Sequence, residues 1–226
     1  MRLRYGKLSI PVLFENDLCM VLDKPSGLSV QGGEGVRVSL DSILSENYST
    51  RPLLVHRLDR DTSGVILVAK TKEAAGGFSA LLAGGKAGEK KAVVKQYLGV
   101  CAGNPGTGVI RLSLEIRGRE KEAETFYRLL SGGSAGDISC SLLELELGTG
   151  RMHQIRRHLA HAGHPLLGDD KYGDFSLNKK LRKEYGLKHL LLHASRLIIP
   201  PSPSLLPEGL DISAPLPEYF SLFVKR

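Results

Sequence analysis

Short apolar runs separated by turn-forming residues dominate the first half of the chain. Residues 53–55 and 65–69 are two such runs, and the second, VILVA, is rich in β-branched side chains. A short run of this kind, bounded by a glycine and a lysine, is typical of a buried strand. Between the runs lies the polar stretch HRLDRDTSG, in which residues 61–64 are turn formers. The pattern predicts that Asp59 lies at the edge of a sheet beside a tight turn.

The remaining pattern mixes short strands with a few helices. Apolar side chains at helical spacing predict helices over residues 39–48, 72–83 and 151–162, with Ser39 and Thr71 as N-caps. Residues 177–189 are interpreted as a basic helix or loop, and a short helix is expected after Pro217. Residues 1–11 have no clear period. Shorter or alternating apolar runs predict strands over residues 10–14, 18–22, 95–100, 109–116, 124–130, 143–147 and 190–200.

The fold class follows from how strands and helices alternate along the chain. The predicted strands over residues 109–147 follow one another without long helices between them, which argues against a doubly wound parallel sheet. We therefore expect an α+β fold with a central mixed, mostly antiparallel sheet flanked by helices and loops. No repeat or linker divides the sequence, so the prediction is one domain over residues 1–226, with a core of about 10–200.

Charge and cysteine content narrow the class of protein. The chain has 226 residues, 42% of them hydrophobic, and a formal net charge of +7 with a pI of about 9.3. A basic balance favours a polyanion partner such as nucleic acid. Cys19, Cys101 and Cys140 lie far apart and form no metal-type pair, which indicates a reducing compartment. No apolar run is long enough to cross a bilayer, so we expect a cytoplasmic protein without a membrane partner.

The first candidate for chemistry is Asp59, which has Arg57 and Arg60 close by in sequence. An opposite charge within a few ångströms favours the ionised form of a carboxylate. An ionised and positioned carboxylate can act as a nucleophile or as a base. The alternative is that Asp59 only caps the turn and pairs with a surface arginine, and for an isolated cluster this plainer interpretation is favoured.

The second candidate is the predicted helix over residues 151–162, which Gly163 would end. Its histidines raise the possibility of zinc, but the segment has no cysteine or acidic ligand and no HExxH pattern. We therefore predict no metal and interpret the helix as a polar surface facing nucleic-acid phosphates. The residues expected to contact nucleic acid from this helix are Arg151, His153, Gln154 and Arg157.

The lysine-rich stretch GGKAGEKKAVVK, residues 84–95, leaves two interpretations open. The plainer interpretation is a solvated loop, which is usually right for a run of charged residues. The functional interpretation is a loop that follows nucleic-acid phosphates, because lysines neutralise phosphates and so release counterions. On that interpretation Lys91 joins the residues expected to bind nucleic acid.

Five ordered stretches resemble the RluA family of RNA pseudouridine synthases. They are LDKPSGLSV (22–30), HRLDRDTSG (56–64), KQYLGV (95–100), GRMHQIRRHLAHAGHPLLGDDKYGD (150–174) and LLLHASRL (190–197). The resemblance runs from about residue 13 to about residue 199, and five motifs in order are more specific than any one of them. It departs at Gln31, where many members have histidine, and at Met152, where a small hydroxyl residue is usual. We assign neither position a role.

The resemblance implies roles that the residues alone do not. It makes Asp59 the catalytic carboxylate and Arg156 its ion-pair partner. It places the ring of Tyr97 against the target uracil, although a tyrosine in a strand is more often plain core. It also places one leucine of residues 190–192 under the base, and we select Leu192. The target nucleotide must be flipped out of the RNA helix. Arg57 could then fill or brace the space that the base leaves, and Arg57 and Arg60 are expected to bind RNA.

The function implied is the isomerisation of uridine to pseudouridine in structured RNA, without a cofactor. Ribosomal RNA is favoured over transfer RNA, and no obligate protein partner is inferred, so a monomer is expected. The chain is expected to be a catalytic domain without the N-terminal ribosomal-protein-type domain that many members carry. Asp59 could attack the base, attack the sugar or abstract a sugar proton, and the sequence does not decide among these.

Two other classes of function make different demands on these residues. A non-catalytic RNA-binding module would keep the fold and the basic face, but it predicts an unsuitable residue at Asp59, Tyr97 or Arg156, and all three are suitable. An aspartate-dependent glycoside hydrolase usually needs two carboxylates that flank the bond. Asp61 is too near to Asp59 in sequence to be a convincing second carboxylate.

Overall fold

The computed structural model describes residues 1–84 and 93–224. The chain forms two compact units. Unit 1 is built from the described residues of Met1–Val94 and Ala194–Pro215, and unit 2 from those of Lys95–His193 and Leu216–Arg226. Each unit has its own hydrophobic core, and the two units are described separately.

Unit 1 is built on an antiparallel sheet. Its strands are β1 (Arg2–Tyr5), β2 (Leu8–Glu15), β3 (Cys19–Lys24), β4 (Leu53–Leu54), β5 (Ser63–Ala69), the part of β12 (Leu192–Ile199) from Ala194 onward, and β13 (Leu210–Ser213). The order is β1-β2-β3-β5-β12, with β4 paired to β5 and β13 paired to β12. Every residue of β5 is buried, as expected for a central strand made of apolar side chains.

Two capped helices cover the core of unit 1. Helix α1 (Leu40–Asn47) begins at Ser39, whose side chain accepts a hydrogen bond from the Ser42 amide in a capping box. Helix α2 (Lys72–Ala83) begins at Thr71, whose hydroxyl accepts from the Ala74 amide. Phe78 of α2 is fully buried against strand residues and anchors this helix to the core.

Unit 2 contains a group of four antiparallel strands and a separate two-stranded ribbon. Its strands are β6 (Val94–Ala102, in this unit from Lys95), β7 (Gly108–Arg111), β8 (Leu114–Ile116), β9 (Arg119–Lys121), β10 (Glu124–Ala135) and β11 (Ile138–Leu147). The sheet order is β6-β11-β10-β7, and β8 pairs with β9 alone. Helices α3 (Gln154–His161) and α4 (Phe175–Tyr185) and a 3₁₀ helix over Glu218–Phe220 complete the unit.

The predicted α+β class with a mostly antiparallel sheet and flanking helices is confirmed, because the pairings of both units are antiparallel. The extent of the domain stays a prediction. Three local expectations were wrong. Residues 1–11 contain β1 and the start of β2. Residues 109–116 belong to two strands, because the irregular residues Leu112 and Ser113 interrupt the strand and β8 pairs with β9 in a separate ribbon. Helix α3 begins at Gln154, three residues later than expected.

The described residues were compared with the requirements for a membrane-spanning helix, a metal site and a disulfide bond. Over residues 1–84 and 93–224, no helix combines the length and the apolar character that a membrane span requires. Within the same ranges, no three His, Cys, Asp or Glu side chains are grouped to hold a metal ion. Cys19, Cys101 and Cys140 are buried free thiols.

Candidate functional site

The Asp59 loop, residues 56–62, connects β4 to β5 in unit 1. At its start the Nε2 atom of His56 accepts a hydrogen bond of 2.9 Å from the Leu67 amide, which ties the loop to the buried strand. At its end the Thr62 amide donates to the Asp59 carbonyl at 3.2 Å and closes the turn. The half-buried Asp59 therefore lies at the sheet edge beside a tight turn, as the sequence pattern predicts.

The backbone at position 64 explains why the motif HRLDRDTSG ends in glycine. Its φ angle is 107°, a backbone conformation that L side chains rarely adopt, and a Cβ atom there would lie 2.1 Å from the Ala194 carbonyl oxygen. Such a distance is a steric clash, so β5 can approach β12 only with glycine at this position. The glycine is a requirement of packing behind the loop.

A turn over residues 25–28 packs against the Asp59 loop. The Gly27 amide donates to the Arg60 carbonyl at 2.9 Å, and the Ser26 hydroxyl donates to the Asp61 carbonyl at 2.8 Å. The main chain directly after Asp59 is therefore held from outside the loop at two successive carbonyls.

The ammonium group of Lys24 reaches the same place from the end of β3. Its Nζ atom donates to the carbonyls of Pro25, Leu28 and Arg60 at 3.0, 2.8 and 2.9 Å. The side chain is fully buried. Burial lowers the pKa of Lys24 to about 7, and the neighbouring carboxylates, of which Asp61 has the largest effect, oppose that shift.

The two arginines of the loop are exposed. The Arg60 Nε atom lies 3.1 Å from an Asp61 carboxylate oxygen, and the Arg57 guanidinium donates to the Gln31 side-chain oxygen at 3.3 Å. Both guanidinium groups lie at the surface of unit 1 around Asp59, a position from which they can contact a polyanion.

In unit 2 the predicted residue Arg156 is buried on α3. Its Nε and Nη2 atoms donate to the two carboxylate oxygens of Asp169, each at 2.8 Å. The two side chains are 6% and 1% exposed. The guanidinium carbon also lies 5.3 Å from the centre of the Tyr172 ring. A bidentate pair together with an aromatic contact fixes the plane of the guanidinium group as well as its position.

Asp169 is itself held by the chain. One of its carboxylate oxygens accepts from the amides of Lys171 and Tyr172 at 2.9 and 3.0 Å, and its carbonyl accepts from the Asn178 side chain at 2.9 Å. Burial alone would raise the pKa of Asp169. The bonds from Arg156 and the two amides outweigh burial, and the pKa lies below its usual value.

The other residues predicted on α3 differ in their surroundings. His153 precedes the helix with a left-handed φ of 53°, and its Nδ1 atom lies 2.9 Å from the Tyr172 hydroxyl. Gln154 is 2% exposed, and its carboxamide bonds to Thr149, Thr125 and the Arg151 amide. These bonds give Gln154 a scaffolding role and do not support its predicted contact with RNA.

Arg151 and Arg157 both brace the segment that contains the β8–β9 ribbon. The Arg151 Nε atom donates to the Glu122 carbonyl at 3.2 Å, and Arg157 donates to the Glu115 carbonyl at 3.1 Å. Arg151 is exposed and Arg157 half-buried. Because carbonyls carry no net charge, both guanidinium groups keep their positive charge available to an anionic partner.

The residues expected to pack on a base are apolar positions of unit 2. Tyr97 lies in β6 and is 8% exposed. Leu190, Leu191 and Leu192 are all buried, so burial does not single out Leu192 from its neighbours. Lys91 lies outside the described residues.

Sequence reasoning missed Lys24 and Asp169, although both lie in stretches that resemble the family. A signal was present for each. Lys24 lies between Asp23, which follows the apolar run CMVL, and Pro25, and Asp169 lies in the polar stretch GDDKYGD. A lysine or an aspartate of this kind is ordinarily exposed, so only the three-dimensional structure shows that both are buried and paired.

Comparison with known proteins agrees with these features. A family model described as RNA pseudouridylate synthase matches residues 18–161, a range that includes Asp59, Tyr97 and Arg156. The ribosomal large subunit pseudouridine synthase C of Haemophilus influenzae is 37% identical over 204 residues, 84% of this chain and 61% of that protein. The protein of the same name in Rickettsia felis is 34% identical over 226 residues, 93% of this chain and 68% of that protein.

A solved structure extends the likeness to the fold. The human RNA pseudouridylate synthase domain containing 4 matches with a TM-score of 0.72 and 26% identity, over 93% of this chain and 90% of that one. This chain spans 61% of the length of the Haemophilus relative. The family model matches more than half of the sequence. The alignments with the two bacterial relatives cover 84% and 93% of this chain. The protein therefore belongs to the RNA pseudouridylate synthase family.

Proposed function

We propose that this protein isomerises specific uridines in structured RNA to pseudouridine, with Asp59 as the catalytic carboxylate. The observation that carries the proposal is the family match over residues 18–161. Within that range the Asp59 loop is held at successive main-chain carbonyls, and Arg156 is fixed by a buried ion pair. Such preorganisation is what a catalytic carboxylate and its orienting cation require.

The reaction exchanges one bond for another on the same sugar. The bond between N1 of uracil and C1′ of ribose breaks, a bond between C5 and C1′ forms, the hydrogen on C5 leaves, and N1 takes up a proton. Atoms and electrons balance without an oxidant, a reductant or an energy source. Asp59 has three possible parts in this sequence: attack on the base, attack on the sugar carbon, or abstraction of a sugar proton.

Arg156 is proposed to pair with Asp59 and keep its carboxylate ionised and oriented. A guanidinium group has five N–H donors, and the bonds to Asp169 use two of them. The pair with Asp169 is therefore compatible with a second carboxylate partner. By its charge, Asp169 also offsets the cost of burying the guanidinium group.

The proposed base contacts come from Tyr97 and one of the buried leucines, with Leu192 preferred. The target atoms of a stacked uridine are inaccessible, so the nucleotide must leave the helix before chemistry. Arg57 is proposed to brace the space that the base leaves. The exposed Arg57 and Arg60, the residues Arg151, His153 and Arg157 of unit 2, and Lys91 are proposed to bind phosphates.

The proposed substrate is ribosomal RNA, because the relatives are named as ribosomal large subunit enzymes. Transfer RNA is the second candidate. The basic net charge of +7 suits either polyanion. We propose that the protein works in the cytoplasm, as a monomer and without a cofactor or an obligate protein partner.

Two measurements test the function. Pseudouridines mapped across total RNA from cells with and without the gene should differ at one or a few sites, and those sites identify the substrate. Purified protein should then release tritium from RNA that carries [5-³H]uridine, because the hydrogen on C5 is lost in the isomerisation. A protein that binds this RNA but releases no tritium would be the non-catalytic RNA-binding module.

A further inference from the structure

One face of helix α4 in unit 2 carries an aromatic ring beside two positive charges. Phe175, at the start of the helix, is 63% exposed, and the exposed Lys179 and Lys183 follow it at intervals of four residues. Residues four positions apart on a helix are neighbours on the same face, with their Cβ atoms about 5–6 Å apart. The three side chains therefore form one surface, which we call the α4 surface.

The opposite face of α4 fixes the helix in unit 2. Asn178 and Leu181 are buried there. The Asn178 side chain donates to the Asp169 carbonyl and accepts from the Gly168 amide, both at 2.9 Å. Because Asp169 is also the partner of Arg156, the α4 surface is held in a fixed position relative to that buried ion pair.

The positive charges of the α4 surface are available to an anionic partner. Within the part of the chain that the structure describes, neither Lys179 nor Lys183 forms an ion pair. The neighbouring Arg182 does form one, with the exposed Asp170 at 2.9 Å. The two lysines can therefore bind an anion without first breaking an ion pair.

The chemistry of the α4 surface favours RNA as its partner. The face of an aromatic ring stacks on a nucleobase, and ammonium groups neutralise the phosphates beside it. A second copy of this chain is disfavoured, because a twofold interface would bring Lys179 and Lys183 of both copies together. Bases within a duplex stack on one another and leave no face for Phe175. The partner that fits is an unpaired nucleotide with its neighbouring phosphates.

We propose that the α4 surface binds a single-stranded segment of the RNA substrate. The Phe175 ring stacks on an unpaired base, and Lys179 and Lys183 contact the phosphates beside that base. That this RNA is the substrate rests on the proposed function, whereas the binding itself does not. An RNA bound in this way has an unpaired segment in addition to its target nucleotide.

The first experiment compares a single-stranded RNA of mixed sequence, about twelve nucleotides long, with the same strand in a duplex. Phe175→Ala should raise the Kd for the single strand by about fivefold or more and the Kd for the duplex by less than about twofold, because stacking needs an unpaired base. Phe175→Tyr keeps an aromatic ring and should match the wild type. Leu222→Ala is the matched control, since Leu222 is 59% exposed in the same unit but lies outside the α4 surface. Wild-type affinity of Phe175→Ala for the single strand would overturn the proposal.

The two lysines are tested through the salt dependence of the same affinity. Each phosphate contact to a single strand contributes about 0.7 to the slope of log affinity against log salt. Lys179→Ala and Lys183→Ala should each flatten that slope by up to about 0.7. Lys180→Ala is the matched control, because Lys180 lies on the same helix but pairs with Asp137 at 2.6 Å. Wild-type slopes in both test variants would overturn the proposal.

Crosslinking locates the contact and needs no variant. The same single strand, carrying 4-thiouridine, is irradiated in complex with the wild-type protein, and the crosslinked peptides are identified by mass spectrometry. We expect crosslinks within residues 175–183. Crosslinks confined to other segments would overturn the proposal.

The proposed function and the proposed RNA contact fail in different ways. If the wild type makes no pseudouridine, the proposed function fails, while a loss of single-strand affinity in Phe175→Ala still supports the contact. If Phe175→Ala changes the sedimentation of the protein but not its affinity for the single strand, the α4 surface joins copies of the chain and the proposal is overturned. Unfolding curves check that each variant is folded. If Phe175→Ala is not, the crosslinks and the lysine variants decide.

Discussion

The Asp59 loop of unit 1 and the Arg156 region of unit 2 are held in place by opposite means. Around Asp59, the turn over residues 25–28 and Lys24 bond to main-chain carbonyls of the loop. At Arg156, the charged group itself is held by two bonds to Asp169. Main-chain anchoring fixes where a carboxylate stands while leaving its own bonding able to change during a reaction. A side-chain ion pair fixes a charge that has to stay constant.

The largest expected effect concerns the ion pair in unit 2. Asp169→Asn keeps the shape of the side chain but removes the carboxylate charge from the buried, bidentate pair with Arg156. We expect the free energy of unfolding to fall by roughly 3–5 kcal/mol, measured by urea unfolding. Asp211→Asn is the matched control, because Asp211 pairs with Arg196 at 51% side-chain exposure, and it should cost less than about 1 kcal/mol. Equal losses in the two variants would contradict the comparison.

The proposed pair of Asp59 and Arg156 comes next. Arg156→Met should leave Asp59 and Asp169 uncompensated, whereas in the double variant with Asp59→Asn only Asp169 keeps its charge. We therefore expect the double variant to be less destabilised than the sum of the singles, with a coupling of about 1–3 kcal/mol. Denaturant unfolding of all four proteins measures it. Strict additivity would mean that the two are not partners, and Arg151 would be the next residue to test.

The contribution of Lys24 to stability should depend on pH. Its pKa is about 7 in the folded protein and 10.5 without the fold, so between these values the unfolded chain binds more protons. Stability from this group therefore rises with pH, by up to about 1.4 kcal/mol per pH unit. The difference in unfolding free energy between wild type and Lys24→Met should grow in favour of the wild type from pH 7 to pH 9. A difference that does not change with pH would show that Lys24 stays charged throughout.

The smallest effect concerns RNA binding from the surface of unit 2. Affinity should fall steeply with salt through counterion release. Arg157→Ala should flatten the slope of log affinity against log salt by up to about one unit. Lys180→Ala is the control, because Lys180 is paired with Asp137 at 2.6 Å, and it should change the slope less. Affinity independent of salt would contradict the proposed role of the net positive charge.

The sequence predicted elements whose signals are local. Ser39 and Thr71 were recognised as N-caps because a cap depends on the few residues that follow it. The edge position of Asp59 followed from two apolar runs and the turn formers between them. The start of α3 was predicted too early, because His153 adopts a left-handed conformation that residue type did not indicate.

The partners of buried charges could not be predicted. Arg156 and Asp169 are 13 residues apart, and the carbonyl that Lys24 shares with the Asp59 loop is 36 residues away. Such pairs form through tertiary packing, and the spacing of apolar and polar residues along the sequence does not indicate which residues will meet. The family resemblance supplied a role for Arg156, but the contacts that hold it became visible only in the structure.

The catalytic role of Asp59 is tested by the rate of pseudouridine formation after its carboxylate is removed. Asp59→Asn should reduce pseudouridine formation to less than about 1% of the wild-type single-turnover rate, a loss of about 3 kcal/mol or more. Its RNA affinity and unfolding free energy should stay close to wild type, because Arg156 keeps Asp169 as a partner. Asp61→Asn, in the same loop, should retain most of the activity. Turnover by Asp59→Asn well above about 1% of the wild-type rate would contradict the account.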